Sequence, residues 1–427
     1  MKRTIVLLLA FMAVDFCRAM FAADFVTLFN GRDLNGWVNV QCAPSTWTVR
    51  DGMIVCSGIP TGVMRTEKQY ENFILELEWK HLRKGGNAGL FIWSDPITAR
   101  GQPFTRAIEV QVLDGNDPAG LWTGHGDVFS IHGATMVPDR PHPKGWTRCL
   151  PSELRANPAG EWNHYRVECR DGRLTLAVNG KVVSGASQCN PRKGYICLES
   201  EGSEAHFKNI RIQELPSSSP TVSETAPLDA GFKSIYNGVD LSGWRQEAGH
   251  KGHWVARDWI LDYDGKSEAT DKNLWTEKEY GDFELIVDWR FTTRPKTKKI
   301  PMILSNGDYA KNENGSPKMA DVPEAGYSGF YLRDVHNGVV NRWLWPMGYV
   351  KPAQPDLESP TVFPAQPLGE WNRFHVTIRG NQVTIVLNGQ TVSEKENWSG
   401  ILARGPIGIQ HNSNPIQIAN IYVRELN

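Results

Sequence analysis

Charge of a dominant sign is missing from this sequence: Lys and Arg number 46 against 47 Asp and Glu, a formal net charge of -1. That balance excludes the electrostatic footprint that nucleic acid or an anionic membrane surface demands. Long apolar runs are also missing. The run Thr4 to Val14 covers eleven residues, well short of the roughly 20 that a spanning helix needs, and no later segment is apolar enough to span a membrane. No stretch shows sustained helical spacing between caps, which argues against a helical architecture. Cysteine is sparse, with seven in 427 residues and none beyond Cys197. What is plentiful is Gly (40), Pro (26) and Trp (16), which point to many turns and to aromatic surfaces of the kind that bind sugars, although Trp also fills β cores. With 40% hydrophobic and 22% charged residues the chain is globular, and its length suits two or three domains.

Lys2 and Arg3 ahead of the Thr4 to Val14 run read as a secretory signal peptide, with cleavage after Ala22 or Ala23 and an exported, periplasmic or extracellular product. Removal of that segment takes Cys17 with it and leaves Cys42, Cys56, Cys149, Cys169, Cys189 and Cys197. In an exported protein an even count permits disulfides, and buried free thiols in strands are the equal alternative.

The sequence is written twice. Phe25 to Trp37 (FVTLFNGRDLNGW) returns as Phe232 to Trp244 (FKSIYNGVDLSGW), at an offset of 207. TEKQYENFILELEW from Thr66 returns as TEKEYGDFELIVDW from Thr276, and GEWNHYRVECRDGRLTLAVNG from Gly160 as GEWNRFHVTIRGNQVTIVLNG from Gly369. Blocks in one order at a nearly constant offset mean a duplicated domain. The boundaries fall at 1–23 for the signal, 24–215 for the first domain, 216–227 for a Pro- and Ser-rich linker and 228–427 for the second domain. Within each copy the apolar pattern has period two, and Asn179-Gly180 and Asn388-Gly389 are hairpin turn pairs. The expected fold is all-β, two tandem antiparallel β-sandwiches of jelly-roll type.

Residues shared by both copies, such as Asn30/Asn237 and Asp33/Asp240, are turn and core determinants; chemistry confined to one copy lies where the copies diverge. In the first copy Glu109 and Gln111 project from one face of the strand 107–114, about 6.5–7 Å apart, with Val110 and Val112 on the other. The second copy has Val339 to Trp345 there, whose Trp343 and Trp345 suit stacking on sugar rings. The first copy also carries 23 more residues between Glu109 and Gly160 than the second between Asn341 and Gly369. That insertion brings His125, Asp127, His132, Asp139, Arg140 and His142 into one polar loop, fit for a general base, an enolate stabiliser or a metal site. The spacing of His125, Asp127 and His132 matches no specific metal pattern. Glu199 and Glu201 stand opposite Gln410 and Asn412. A carboxylate pair at this spacing serves acid-base work, a sugar hydroxyl or a divalent cation such as calcium. A second insertion, roughly Thr292 to Ala325 in the second copy, reads as a solvated loop.

Taken together, LFNGRDLNGW, TEKQYENFILELEW, AIEVQVLD, HGDVFSIHGA, GEWNHYRVECRDG and KGYICLESEG resemble the 3-keto-disaccharide hydrolase domain family. The resemblance covers nearly the whole mature chain in two copies, of which the second lacks the Glu-x-Gln pair. It implies a concanavalin A-like sandwich, export, and cleavage of glycosides already oxidised at C3 of the sugar. A ketone at C3 acidifies the C2 proton; a base removes it, the enolate expels the C1 substituent, and water then adds. Such chemistry requires a base near C2, a donor or cation at the C3 oxygen and an acid for the leaving oxygen. Glu109 or His132 is the expected base, His125 or Arg140 the group at the enolate oxygen and Glu199 the acid. Trp93, Gln111, Asp114, Asp127 and Glu201 are expected to position the sugar, with no required cofactor identified. The competing expectation is a non-catalytic, lectin-like pair of modules, since sandwiches of this kind host both functions.

Overall fold

The computed structural model describes residues 24–115, 124–293, 297–301, 311–323, 329–333, 366–397, 401–411 and 413–426. Among these, regular structure is strand apart from two single 3-10 turns, Val222–Glu224 and Ala248–His250. Strict alternation explains why. In the strand Phe73–His81 the side chains of Phe73, Leu75, Leu77 and Trp79 enter the core, while Glu76 and Glu78 face away, a pattern that only a two-residue period satisfies. Asn179 and Asn388 sit at φ of 46° and 51°, each followed by a glycine at 85°, so the Asn-Gly pairs close their hairpins as the turn chemistry requires.

The first sandwich packs two antiparallel sheets. One has nine strands, running Thr135–Pro138, Lys181–Asn190, Arg173–Val178, Asn163–Arg170, Phe73–His81, Ala205–Glu214, Met53–Cys56 and Trp47–Arg50, with Val26–Thr27 added beside Ala205–Glu214. The other has seven, in the order Arg148–Cys149, Val128–Ile131, Ala107–Leu113, Asn87–Ser94, Tyr195–Ser200, Gly62–Thr66 and Trp37–Asn39. Trp79, Tyr165 and Phe207 from one sheet meet Leu90, Val110 and Leu198 from the other. Full burial of each such side chain contributes on the order of 2 kcal/mol. All six cysteines of the described chain are buried free thiols within this unit.

The second sandwich repeats the plan. Its larger sheet runs Trp254–Arg257, Ile260–Tyr263, Ile416–Glu425, Phe283–Phe291, Asn372–Arg379, Gln382–Leu387 and Gln390–Asn397, with Lys233–Ser234 beside Ile416–Glu425. Its smaller sheet, among the described residues, comprises Trp244–Arg245, Leu274–Tyr280, Gly405–Ile409 and Phe330–Leu332. The expected solvated loop after Thr292 instead contains a two-stranded ribbon, Thr297–Pro301 paired with Met319–Pro323. Its run of lysines masks the alternation that would have announced a strand.

The linker is strapped to the first sandwich rather than loose. Asn72 Nδ2 donates to the Pro216 carbonyl at 2.9 Å, Ser217 Oγ to Glu71 at 2.6 Å and Arg192 Nε to Glu224 at 3.0 Å. The larger sheet of the second sandwich lies with its outer face on the outer face of the seven-stranded sheet. Ile286 and Tyr422 there form one apolar cluster with Val40, Val63, Phe91, Ala107 and Cys197.

Candidate active site

The outer face of the seven-stranded sheet is built around the strand Asn87–Ser94. Its register sets Gly89 opposite Gln111 and Phe91 opposite Glu109 on one side. On the other side Leu90 pairs with Leu198 and Phe91 with Cys197, which brings Glu199 beside Gly89. Because Ile108, Val110 and Val112 fill the core, Glu109 and Gln111 share the outer face, as alternation requires.

Glycine at position 89 is what lets two acids meet. A Cβ there would lie 2.5 Å from Glu199 Oε2 and 3.0 Å from Glu109 Oε1, so the carboxyls of the two flanking strands close over the one residue without a side chain. Both are buried, at 5% and 1% exposure for Glu109 and Glu199. Burial pushes both carboxyls well above the ordinary range; repulsion from Glu201 adds to the shift of Glu109, and repulsion from Glu109 and then Glu201 to that of Glu199. The Arg148 guanidinium opposes the rise at Glu109, and no cation does so at Glu199. Glu201 is pushed up to about 7, mainly by burial, against a hydrogen bond from Asn87 Nδ2.

Around the pair lies a polar rim. Gln111 Nε2 donates to Asn87 Oδ1 at 2.9 Å, and Asn87 N–H donates to Ser203 Oγ at 2.7 Å. Asp127, wholly buried, pairs with Arg148 Nη1 at 2.7 Å, and the Arg148 guanidinium stacks 3.7 Å from the centre of the Phe129 ring. Burial lifts the Asp127 carboxyl to about 6 even so. Glu199 Oε2, Gln111 Oε1 and Asp127 Oδ1 are buried acceptors with no donor among the described residues. Acceptors left open on one face are what the hydroxyls of a bound sugar satisfy.

The structure therefore brings together Glu109, Gln111, Asp127, Glu199 and Glu201, together with Asn87, Gly89, Phe129 and Arg148. Five other expected residues are engaged elsewhere. Trp93 is fully buried and donates Nε1–H to the Glu71 carbonyl at 2.8 Å. A φ of 56° there breaks the alternation that would have kept residue 93 on the outer face with 89 and 91, and turns the indole into the core. Arg140 binds the backbone carbonyls of Leu150 and Val183, fastening its loop to the nine-stranded sheet rather than facing the carboxyl pair. His132 stacks on Phe104, which packs edge-on against Phe91, and burial lowers its pKa to about 4. Asp114 is engaged as the acceptor of the Gly85 N–H at 2.9 Å and serves the turn. His125 lies near Asp114, and its Nε2 accepts the Ala156 N–H at 3.1 Å, which holds the ring neutral with the proton on Nδ1. Trp343 and Trp345 lie outside the described residues. Asn87, Gly89 and Arg148 were not foreseen. The lone glycine inside an apolar strand pattern was their available signal, since it marks a close approach by other groups.

Among the described residues no group of three or more His, Cys, Asp and Glu side chains is arranged to hold a metal ion, and no helix is long and apolar enough to cross a membrane.

A β-sandwich with an acidic, acceptor-rich sheet face is the frame of carbohydrate-active proteins. The chain belongs to the family of the 3-keto-alpha-glucoside-1,2-lyase-like domain, whose model matches twice, over residues 24–213 and 231–424. Solved structures similar to parts of the chain include a candidate glycosyl hydrolase from Parabacteroides distasonis, at 24% identity over 45% of this chain and 94% of that one with a TM-score of 0.34. A carbohydrate-binding module from Bacillus subtilis is 14% identical over 42% of this chain and 96% of its own, with a TM-score of 0.30. A β-glucanase from Bacillus licheniformis is 13% identical over 46% and 99%, also at 0.30. No curated protein matches the sequence.

Proposed function

We propose that the first domain is an exported enzyme of glycosidase type that cleaves glycosides carrying a ketone at C3, by elimination followed by hydration. The observation that supports this is the closure of Glu109 and Glu199 over Gly89. Two buried carboxyls that repel one another share a single proton readily, one acting as base and one as acid. Arg148 favours the ionised form at Glu109, which makes Glu109 the base and Glu199 the acid.

In the first step Glu109 takes the C2 proton, the electron pair left behind forms the C1–C2 double bond through the enolate, and the C1–O bond breaks. Glu199 gives its proton to the leaving oxygen. The pair is then inverted, with Glu109 protonated and Glu199 ionised. In the second step Glu199 accepts a proton from water as its oxygen bonds to C1, and Glu109 returns a proton to C2. Atoms and charges balance and no glycosyl cation forms. Arg148, in place of Arg140 or His125, stabilises negative charge at the C3 oxygen, while Gln111, Asn87, Asp127 and Glu201 bind hydroxyls.

The test incubates the full-length protein with 3-keto-glucosides and 3-keto-disaccharides, with and without chelator, and follows release by proton NMR in deuterated water. Release is expected, with deuterium entering C2 as Glu109 exchanges its proton with solvent between the two steps, and E109Q and E199Q should each lower turnover by about 10²–10⁴-fold. Measurable glycan affinity without release from any member of the panel would replace this reading with the lectin-like one.

A further inference from the structure

The outer face of a sandwich sheet ordinarily meets water, and its side chains are charged to suit. The nine-stranded sheet of the first domain obeys this. Glu76 stands between Arg166 and Arg211 on the neighbouring strands, bound by Arg166 Nη1 at 2.5 Å and Arg211 Nε at 2.8 Å. The repeat sets Ile286 between His375 and Tyr422 at the same register positions of the second domain. There an ion-paired triad has given way to a largely apolar one, with Ile286 and Tyr422 buried. What they are buried against is the first domain's candidate site face. Val63 is the strand partner of Glu199, and Phe91 is the strand partner of Glu109, so the interdomain cluster begins at the residues paired with the two acids.

A second set of contacts fixes the domains in that position. The loop Thr98–Gln102 of the first domain lies on the same outer face of the second. Gly101 N–H donates to Asp288 Oδ2 at 2.7 Å, and Asp288, wholly buried, is held by Arg373 Nε at 2.6 Å. Arg373 Nη2 donates to the Thr98 carbonyl at 3.0 Å and Asn420 Nδ2 to that of Gln102 at 3.0 Å. A Cβ on Gly101 would stand 2.2 Å from the Trp371 ring, so the loop fits only with glycine there. These are directional contacts between groups of fixed identity, unlike a hinge that slides.

We infer that the second domain is a fixed wall of the first domain's site: it closes the sheet face on the Val63, Phe91 and Ala107 side of the acid pair and, among the described residues, leaves entry from the Asn87, Gln111 and Asp127 side. The site is then a blind pocket rather than a through-groove. It takes the end of a short glycoside and rejects an internal stretch of a polysaccharide. The substrate class rests on the function proposed above; the wall itself does not.

The test uses the full-length protein and two variants that act independently. I286E/Y422R gives the second domain the residues the first carries at those positions, and G101A strikes the loop contact with Trp371. Small-angle scattering reads whether the domains separate, and mass spectrometry after carbodiimide treatment reads the labelling rate of Glu109 and Glu199. The expected result is separation in at least one folded variant, with labelling of both acids at least tenfold faster than in the unmodified protein. Separation without faster labelling overturns the wall, because the acids would then be shielded by their own domain. Domains that stay together in both variants overturn it as well, since these contacts would not be what holds them. Neither readout depends on turnover, so a failure to cleave any 3-keto-glycoside sinks the proposed reaction and leaves this result standing.

Discussion

At the scale of the residue, a carboxylic acid buried beside another keeps its proton because ionisation must be bought against both low polarity and a like charge. Glu109 and Glu199 meet that condition only because position 89 has no side chain. The variant G89A retains a strand-compatible residue, yet its methyl group enters the space of both carboxyl oxygens and of the Phe91 ring, which a Cβ would meet at 3.1 Å. We expect a stability loss of about 1–3 kcal/mol, typical of overpacking, and a turnover loss of at least tenfold, read by urea unfolding and by the NMR release assay. A variant as active as the parent would show that the two acids work independently. The positions of Glu109, Gln111 and Glu199 were legible because a strand alternates faces whatever surrounds it. Trp93 was not, since a single left-handed residue reverses the face, and nothing in the residue type announces it.

At the scale of the element, the edge of the site sheet is made by two short strands, Val128–Ile131 and Arg148–Cys149, joined in register at Phe129 and Arg148. Both belong to the longer connection that distinguishes the first copy, so the extra residues extend the sheet and carry a buried ion pair to its edge. Removing one partner of such a pair leaves the other uncompensated, at a cost of about 3–5 kcal/mol. R148L should therefore destabilise by that amount in chemical denaturation, whereas D127N/R148L should recover most of the loss. A double variant no more stable than R148L would mean that Arg148 contributes through its stacking on Phe129 rather than through Asp127. Hairpins closed by Asn-Gly were readable in the sequence because the turn itself demands positive φ. The roles of the loop histidines were not readable: a polar loop gives no period, and only the fold reveals that His125 is spent on the Ala156 N–H and that His132 rests on Phe104.

At the scale of the whole molecule, the duplication was legible from repeated blocks, but the docking of one copy on the other was not, since it is written as substitutions on a face that either copy could have exposed. The acid cluster sets how stability responds to pH. Glu201 has its pKa raised from 4.5 to about 7, so between those values the folded chain binds more protons than the unfolded one. Its favourable contribution is complete below the unfolded pKa and is lost as pH rises through about 7. Glu109 and Glu199, shifted in the same direction, prolong the decline beyond that. Glu76 and Glu284, lowered by their arginine partners against the opposing effect of burial, act in the opposite sense and penalise only more acidic conditions. The midpoint of thermal unfolding should therefore be highest in mildly acidic buffer and fall between pH 5 and 8. E201Q, which cannot ionise, should match the parent near pH 4 and exceed it at pH 8 by on the order of 3 kcal/mol, the worth of the proton it no longer loses. Parallel profiles for the two proteins across that range would mean that Glu201 titrates alike in the folded and unfolded chain, and the decline would then belong to Glu109 and Glu199 alone.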